Sequence, residues 1–210
     1  MNYIAGDLIR DSKNYDVLVH GCNCFNRMGA GIAKGIKINF PEAFNADAND
    51  PRKPIDRLGG ITYTKALSSS LIIVNAYTQY HFAGPKNVEY LAIRMALREI
   101  KKTFTGKKIA MPLIGAGLAG GHWETIEQLI KDELNGEDVT VVIWEEDIKK
   151  QQAAKAAKQA QPTTNILTQD DNTKKSPVQP TTKTTFQNLN TSKNSDDILN
   201  DLIDEFDLGD

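Results

Sequence analysis

The sequence predicts an α/β layered fold around a buried central sheet, on three observations. Apolar runs alternate with amphipathic stretches throughout residues 1–150. Three of those runs, V-L-V at 17–19, L-I-I-V at 71–74 and V-T-V-V-I-W at 139–144, are rich in β-branched residues and apolar on both faces, as strands covered on both sides are. Glycine-bearing segments follow several of the candidate strands. A chain of 210 residues, 40% hydrophobic and 25% charged, has room for one such domain and an appendage.

The opening strand is Tyr3–Ala5, leaving through Gly6, and the second is Val17–His20. A helix is expected from Ala30 to Phe40, stopping before Pro41 because the residue before proline disfavours the helical region. Strands Ile61–Lys65 and Leu71–Ala76 come next. Asn87 is a candidate cap for a helix whose apolar positions are Val88, Leu91, Ala92, Met95 and Ile100, with Lys101 and Lys102 near its C-terminal end. Lys108–Leu113 is a strand. Trp123, Ile126, Ile130 and Leu134 mark a further helix, closed at Gly136, and Val139–Trp144 is the last strand. Residues 1–150 form the domain.

Beyond Lys150 the composition shifts to Gln, Ala, Thr, Asn, Lys and Pro. Residues 151–194 carry too few apolar side chains to offset an ordering entropy of roughly 1–2 kcal/mol per residue, which predicts a disordered linker. Residues 195–210 hold seven acidic residues, no basic one, and Ile198, Leu199, Leu202, Ile203 and Phe206 at helical spacing. That pattern suits a docking motif for a protein partner.

Residues 1–150 carry 19 basic against 18 acidic side chains, which argues against broad binding to duplex nucleic acid. No apolar run approaches the roughly 18 residues that span a bilayer, and the first residues lack a secretory pattern, so no membrane association and a cytoplasmic location are expected. Cys22 and Cys24, one residue apart, are expected to stay thiols. They form no paired-ligand spacing with a second cluster, so no metal is expected.

The chemistry concentrates in three segments. Gly6-Asp7-Leu8 follows the first strand. His20-Gly-Cys-Asn-Cys-Phe-Asn-Arg-Met-Gly-Ala-Gly-Ile-Ala33 leaves the second and enters a helix through Gly29, Ala30 and Gly31, where backbone N–H groups and the helix start suit a phosphate. Met111-Pro-Leu-Ile-Gly-Ala-Gly-Leu-Ala-Gly-Gly-His-Trp123 again runs from strand through a glycine-dense loop to a helix. Four glycines in seven residues, Gly115, Gly117, Gly120 and Gly121, are costly unless the backbone takes unusual dihedrals or meets a ligand closely. Ligands of open α/β sheets bind outside the carboxyl ends of the strands, where these loops emerge. Neither a dinucleotide G-x-G-x-x-G nor a triphosphate G-x-x-x-x-G-K-[ST] is present. His20 is a candidate acid or base, since an imidazole ordinarily titrates near neutrality, with a buried structural histidine as the alternative; His81 and His122 are weaker candidates. Cys22 reads as a small buried residue rather than a nucleophile.

Taken together and in order, G-D-L at Gly6–Leu8, H-x-C-N at His20–Asn23, M-G-A-G-I-A at Met28–Ala33, M-P-x-I-G-x-G-L at Met111–Leu118 and W-E at Trp123–Glu124 resemble the macrodomain family of ADP-ribose binders, over residues 1–147. The branch most similar holds ADP-ribose 1''-phosphate phosphatases and terminal ADP-ribose protein glycohydrolases. The resemblance implies a three-layer α/β/α macrodomain with a mixed sheet of about six strands. It implies that Asp7 accepts the adenine amino group with Leu8 beside it, and that Asn23 holds the distal ribose. Gly29, Ala30, Gly31 and Ile32 would line one side of the diphosphate and Ile114, Gly115, Ala116, Gly117 and Leu118 the other. Trp144 would stack near adenine or the distal ribose, with an aromatic core role as the alternative. In the glycohydrolases an acidic residue follows G-x-G-L and works with a lysine; here Ala119 stands at the acidic position and Asn75–Phe82 offers no equivalent lysine. The implied activity is hydrolysis of ADP-ribose 1''-phosphate with His20 catalytic and no cofactor. The alternatives are a non-catalytic reader of ADP-ribose or a related NAD-derived signal, and removal of ADP-ribose from macromolecules.

Overall fold

In a computed structural model the chain is described over residues 1–84 and 87–149. Six strands, β1 (Asn2–Gly6), β2 (Val17–Asn23), β3 (Ile61–Lys65), β4 (Ile72–Gln79), β5 (Lys108–Met111) and β6 (Asp138–Trp144), form one sheet in the order β1-β6-β5-β2-β4-β3. All neighbours are parallel except β3, which runs antiparallel to β4 at the edge. Among the described residues the main helices are α1 (Gly31–Asn39), α2 (Pro41–Ala48), α3 (Pro54–Arg57), α4 (Tyr90–Phe104) and α5 (Trp123–Glu133), with a 3-10 turn at Ser12–Asn14 and helical residues 145–149 after β6. The expectations for residues 151–194 and 195–210 lie outside the described residues.

Strand alternation divides the core into two layers. Val17, Val19, Val74, Ile109, Met111, Val139 and Val141 pack with Ile93, Leu97 and Ile100 of α4 and Trp123, Ile126 and Ile130 of α5. The intervening positions Leu18, Ile73, Ala110 and Val142 pack with Ile36 of α1 and Ala43 of α2. Both faces of the sheet are therefore covered, giving three layers, and the β-branched runs fill the middle one.

Several element boundaries differ from expectation. α2 and α3, absent from the sequence reading, each begin with proline at the first helical turn, where its missing N–H costs nothing. β2 and β4 each run three residues further, to Asn23 and Gln79, because they continue to pair with each other across a bulge between Cys22 and Asn23. β5 ends two residues early, at Met111.

Asn87 does not cap α4. Asn87 and Val88 both donate N–H to Ala119 O and Glu89 donates to Thr78 O, so the chain stays extended and the helix opens at Tyr90. Its buried face is Ala92, Ile93, Ala96, Leu97, Ile100 and Phe104, a rotation from the expected stripe that leaves Leu91 69% exposed and Met95 47% exposed. Met95 lies against the Gly59 turn instead. The α5 expectation matches, with Gly136 in the left-handed region at φ 86° just beyond it.

Candidate functional site

A cleft of about 1230 Å³ opens at the carboxyl ends of the parallel strands. The sheet order sets out its contents. At the β1/β6 end lie Asp7, Leu8, Trp144 and Asp147; over β5 and β2 lie the two glycine loops; beside β4 lie Thr78, Gln79 and Phe82, with Asn26 and Arg27 of the β2 loop.

Asp7 Oδ1 accepts the N–H groups of Ile9 and Arg10, and Asp7 N–H donates to Asp11 Oδ2, so the carboxylate both shapes the turn and keeps Oδ2 without a hydrogen bond among the described residues. The buried Leu8 leaves its N–H without an acceptor among them. Trp144, half-exposed, ends β6 beside Gly6.

The two glycine loops present backbone. Ala30 is extended, α1 has no side-chain cap, and the first bond crossing into it is Lys34 N–H to Ala30 O, so the N–H groups of Gly31, Ile32 and Ala33 open toward the cleft they line. After β5, Ala116 N–H bonds Leu113 O, Gly120 N–H bonds Gly117 O and Gly121 N–H bonds Gly115 O. That leaves the N–H groups of Gly115, Gly117, Leu118 and Ala119 without acceptors among the described residues. Gly115 holds φ 78°, and a Cβ on Gly121 would stand 2.8 Å from Gly115 O, so the loop folds on itself as only glycine permits. A Cβ on Gly29 or Gly117, by contrast, would meet nothing within 4 Å. Leu118, 75% exposed, reaches over the gap to lie 3.4 Å from where Gly31 would carry a Cβ. Helix start and loop thus bring two sets of N–H donors to one cleft, with Leu118 bridging from the loop to Gly31.

Ala116 departs from expectation. It does not line the cleft; it packs against the main core with its N–H spent on Leu113 O, while Ala119, two residues past Gly117, does line it. Asn23 lines the cleft, but its amide is engaged: Oδ1 accepts Phe25 and Arg27 N–H, and Nδ2 donates to Arg27 O at 2.8 Å.

His20 also departs. With β2 extended it is a mid-strand residue, 0% exposed, on the α1/α2 face and not on the cleft. Its register partner Asn75 spends Nδ2 on Ala43 O and Thr62 Oγ1 and turns Oδ1 to His20 Nε2 at 2.8 Å, so Nε2 donates. Burial lowers the imidazole pKa to about 4, with the Asn75 bond opposing the shift. The ring is a neutral core group without access to a ligand. Cys22 lies beside it at 3.6 Å, and burial raises that thiol well above its usual range, with Asp47 adding to the shift; Cys24 is pushed up to about 11 chiefly by burial. Neither is a thiolate. His122 precedes α5, and His81 stacks on Phe82; neither lines the cleft.

Beneath the β2 loop sits a buried polar cluster that sequence reasoning missed. Asp47 Oδ1 accepts Tyr77 OH at 2.8 Å and Asn26 Nδ2 at 2.8 Å, while Arg57 donates to Asn26 Oδ1 and to Asp50 O. Burial raises the Asp47 pKa, and its Oδ2 has no hydrogen-bond partner among the described residues. The cluster holds Asn26 in the left-handed region, φ 57°. Among the described residues no group of three or more His, Cys, Asp or Glu could hold a metal ion, and no helix is long and apolar enough to cross a membrane.

The Macro domain family model matches residues 19–130. Over 152 residues the chain is 32% identical to an uncharacterized 17.5 kDa protein of Enterobacteria phage T4, covering 69% of this chain and 97% of that protein. It is 30% identical over 148 residues to the DNA ADP-ribosyl glycohydrolase of Mycobacterium tuberculosis, 69% of this chain but 42% of that protein, so it spans less than half of that relative's length. The macrodomain of the M. tuberculosis protein DarG superposes with a TM-score of 0.56 at 27% identity, over 68% of this chain and 95% of that one. The ADP-ribose 1''-phosphate phosphatase of Meyerozyma guilliermondii is 26% identical over 166 residues, 62% of this chain and 92% of that protein. The chain therefore has relatives among hydrolases.

Proposed function

The chain belongs to the Macro domain family, and within it we propose that this protein binds ADP-ribose and hydrolyses ADP-ribose 1''-phosphate to ADP-ribose and inorganic phosphate. The observation that carries the reading is that two backbone donor sets without acceptors among the described residues, those of residues 31–33 and of Gly115 with residues 117–119, line the middle of one cleft. A diphosphate is the anion that uses both at once. The sheet order supports one orientation of the ligand. Asp7 Oδ2 and Leu8 N–H suit the amino group and ring nitrogen of adenine, Trp144 offers a ring face, and the distal ribose falls beside Asn23, Thr78 and Gln79.

Hydrolysis breaks the bond between phosphorus and the C1'' oxygen, joins a water oxygen to phosphorus, and needs a proton on the departing oxygen. His20 is sealed in the core and Cys22 holds its proton tightly, so neither supplies it. The phosphate monoanion, whose second pKa is about 6, carries the required proton itself. The cleft's part is to orient the ester and stabilise its charge. Turnover should accordingly fall as pH rises past the second ionisation of the substrate. Phosphate release from ADP-ribose 1''-phosphate, measured alongside calorimetry with ADP-ribose on the same sample, tests the reading: binding with release supports it.

A second reading, a non-catalytic ADP-ribose binder, is favoured by one observation. Among the described residues lining the cleft the carboxylates are Asp7 and Asp147, both at the adenine end, and no imidazole is present. Binding without release above background would select it.

A further inference from the structure

We propose that Arg27 is the specificity-determining residue for the phosphate carried on the distal ribose, which makes the β2/β4 end of the cleft a phosphomonoester subsite; the inference rests on the orientation of ADP-ribose given above. Arg27 and Lys37 are the basic residues lining the cleft. Lys37 lies on the last turn of α1 with its Nζ 3.8 Å over the Phe44 ring. Arg27 stands beyond the glycine loops, at the end where C1'' would emerge, and makes no ion pair among the described residues.

Its placement is built. The Asn23 side chain grips the Arg27 backbone at both N–H and C=O, and the left-handed Asn26 before it is locked to Asp47 and Arg57. The guanidinium lies 5.5 Å from the centroid of Phe82, which is 46% exposed. Phe82 in turn stacks on His81 at 4.6 Å and meets Phe25 edge-on at 6.2 Å. An aromatic face under a guanidinium restricts its motion and leaves its planar edge free. That edge can donate two parallel hydrogen bonds to a phosphate, which no neutral hydroxyl at C1'' would repay equally. The acidic cleft residues, Asp7 and Asp147, are at the opposite end, so the cleft is polarised along the sheet with its positive side where the ester would sit. Asn23 and Asp47 are then positioning residues for Arg27.

The test compares two ligands, ADP-ribose and ADP-ribose 1''-phosphate, titrated into the full chain and its Arg27→Ala, Arg27→Lys and Phe82→Ala variants, with Lys102→Ala on α4 as a remote charge control. The wild type should prefer the phosphorylated ligand, and Arg27→Ala should weaken that ligand roughly 10- to 100-fold while changing ADP-ribose less than about threefold. Arg27→Lys should retain part of the preference and Phe82→Ala should lose part of it, with melting temperatures unchanged. Equal weakening of both ligands, or an unaltered preference in Arg27→Ala, overturns the proposal. So does an Arg27→Ala effect seen only with a single-stranded oligonucleotide, which would assign the arginine to phosphodiesters. Failure of the wild type to bind ADP-ribose at all would instead reject the underlying orientation.

Discussion

Two polar regions meet at the carboxyl ends of the central strands, and they are opposites. The glycine stretches 29–33 and 115–121 contribute almost no side-chain chemistry, yet they line the cleft with N–H groups that have no acceptor among the described residues. The layer beneath the β2 loop, with His20, Asn75, Asp47, Tyr77 and Arg57, is rich in side-chain chemistry and sealed from it. The first region offers mainly backbone donors to the cleft, and in the second the buried side chains hold the strands and the loop that carry those donors and Arg27.

The comparison breaks most visibly at His20. Replacing it with alanine should destabilise the fold by about 3 kcal/mol, since it empties a core site and strands Asn75 Oδ1. Turnover per folded molecule should stay within a few-fold; a loss of orders of magnitude with unchanged melting would return His20 to catalysis. A pH dependence sharpens the point. The folded imidazole titrates near 4 and the unfolded one near 6.5, so protons favour the unfolded chain. The stability held above pH 6.5 should be lost progressively toward pH 4, by up to roughly 3 kcal/mol, and denaturant melts across that window should show a shallower slope in His20→Ala.

Next in size is the cleft side. Gly117→Val should cost about 100-fold in ADP-ribose affinity, about 2.7 kcal/mol, with no change in melting temperature, because the branched side chain enters space that is open in the protein and needed by the ligand. A smaller effect is expected at Asp7. One of its oxygens already serves the turn, so Asp7→Asn, which keeps a turn acceptor but not a second carboxylate oxygen, should weaken ADP-ribose by about 1–2 kcal/mol with melting preserved. Calorimetry that finds the affinity unmoved would remove Asp7 from the adenine site. Smallest is Leu118→Ala. The exposed side chain lies over Gly31 and should contribute about 1 kcal/mol or less of contact area once ligand is bound, read as a faster dissociation rate.

Glycine density made the backbone site legible in sequence, because such runs are tolerated only for special dihedrals or close approach, and the β-branched runs marked the sheet. The side-chain layer was less legible. His20 sits at the apparent end of an apolar run, and only the pairing of β2 with β4 as far as Gln79 makes it a mid-strand residue covered by α2. α2 itself has weak apolar periodicity, with Ala43 as its buried hydrophobic residue, so the cover over His20 left little trace. Ala116 turns inward because its N–H closes a tight turn on Leu113, a detail of loop geometry that composition does not encode. Arg27 had no pattern to betray it, since an arginine in a polar loop looks like any solvated residue until Asn23 and Phe82 are placed around it.

The most direct measurement is a calorimetric titration of ADP-ribose into the wild-type chain and Gly117→Val at matched, verified stability. Saturable one-to-one binding by the wild type, weakened about 100-fold in the variant, is the expected result if backbone donors hold the diphosphate. Equal affinity in the two proteins would contradict it and move the ligand away from the glycine loops.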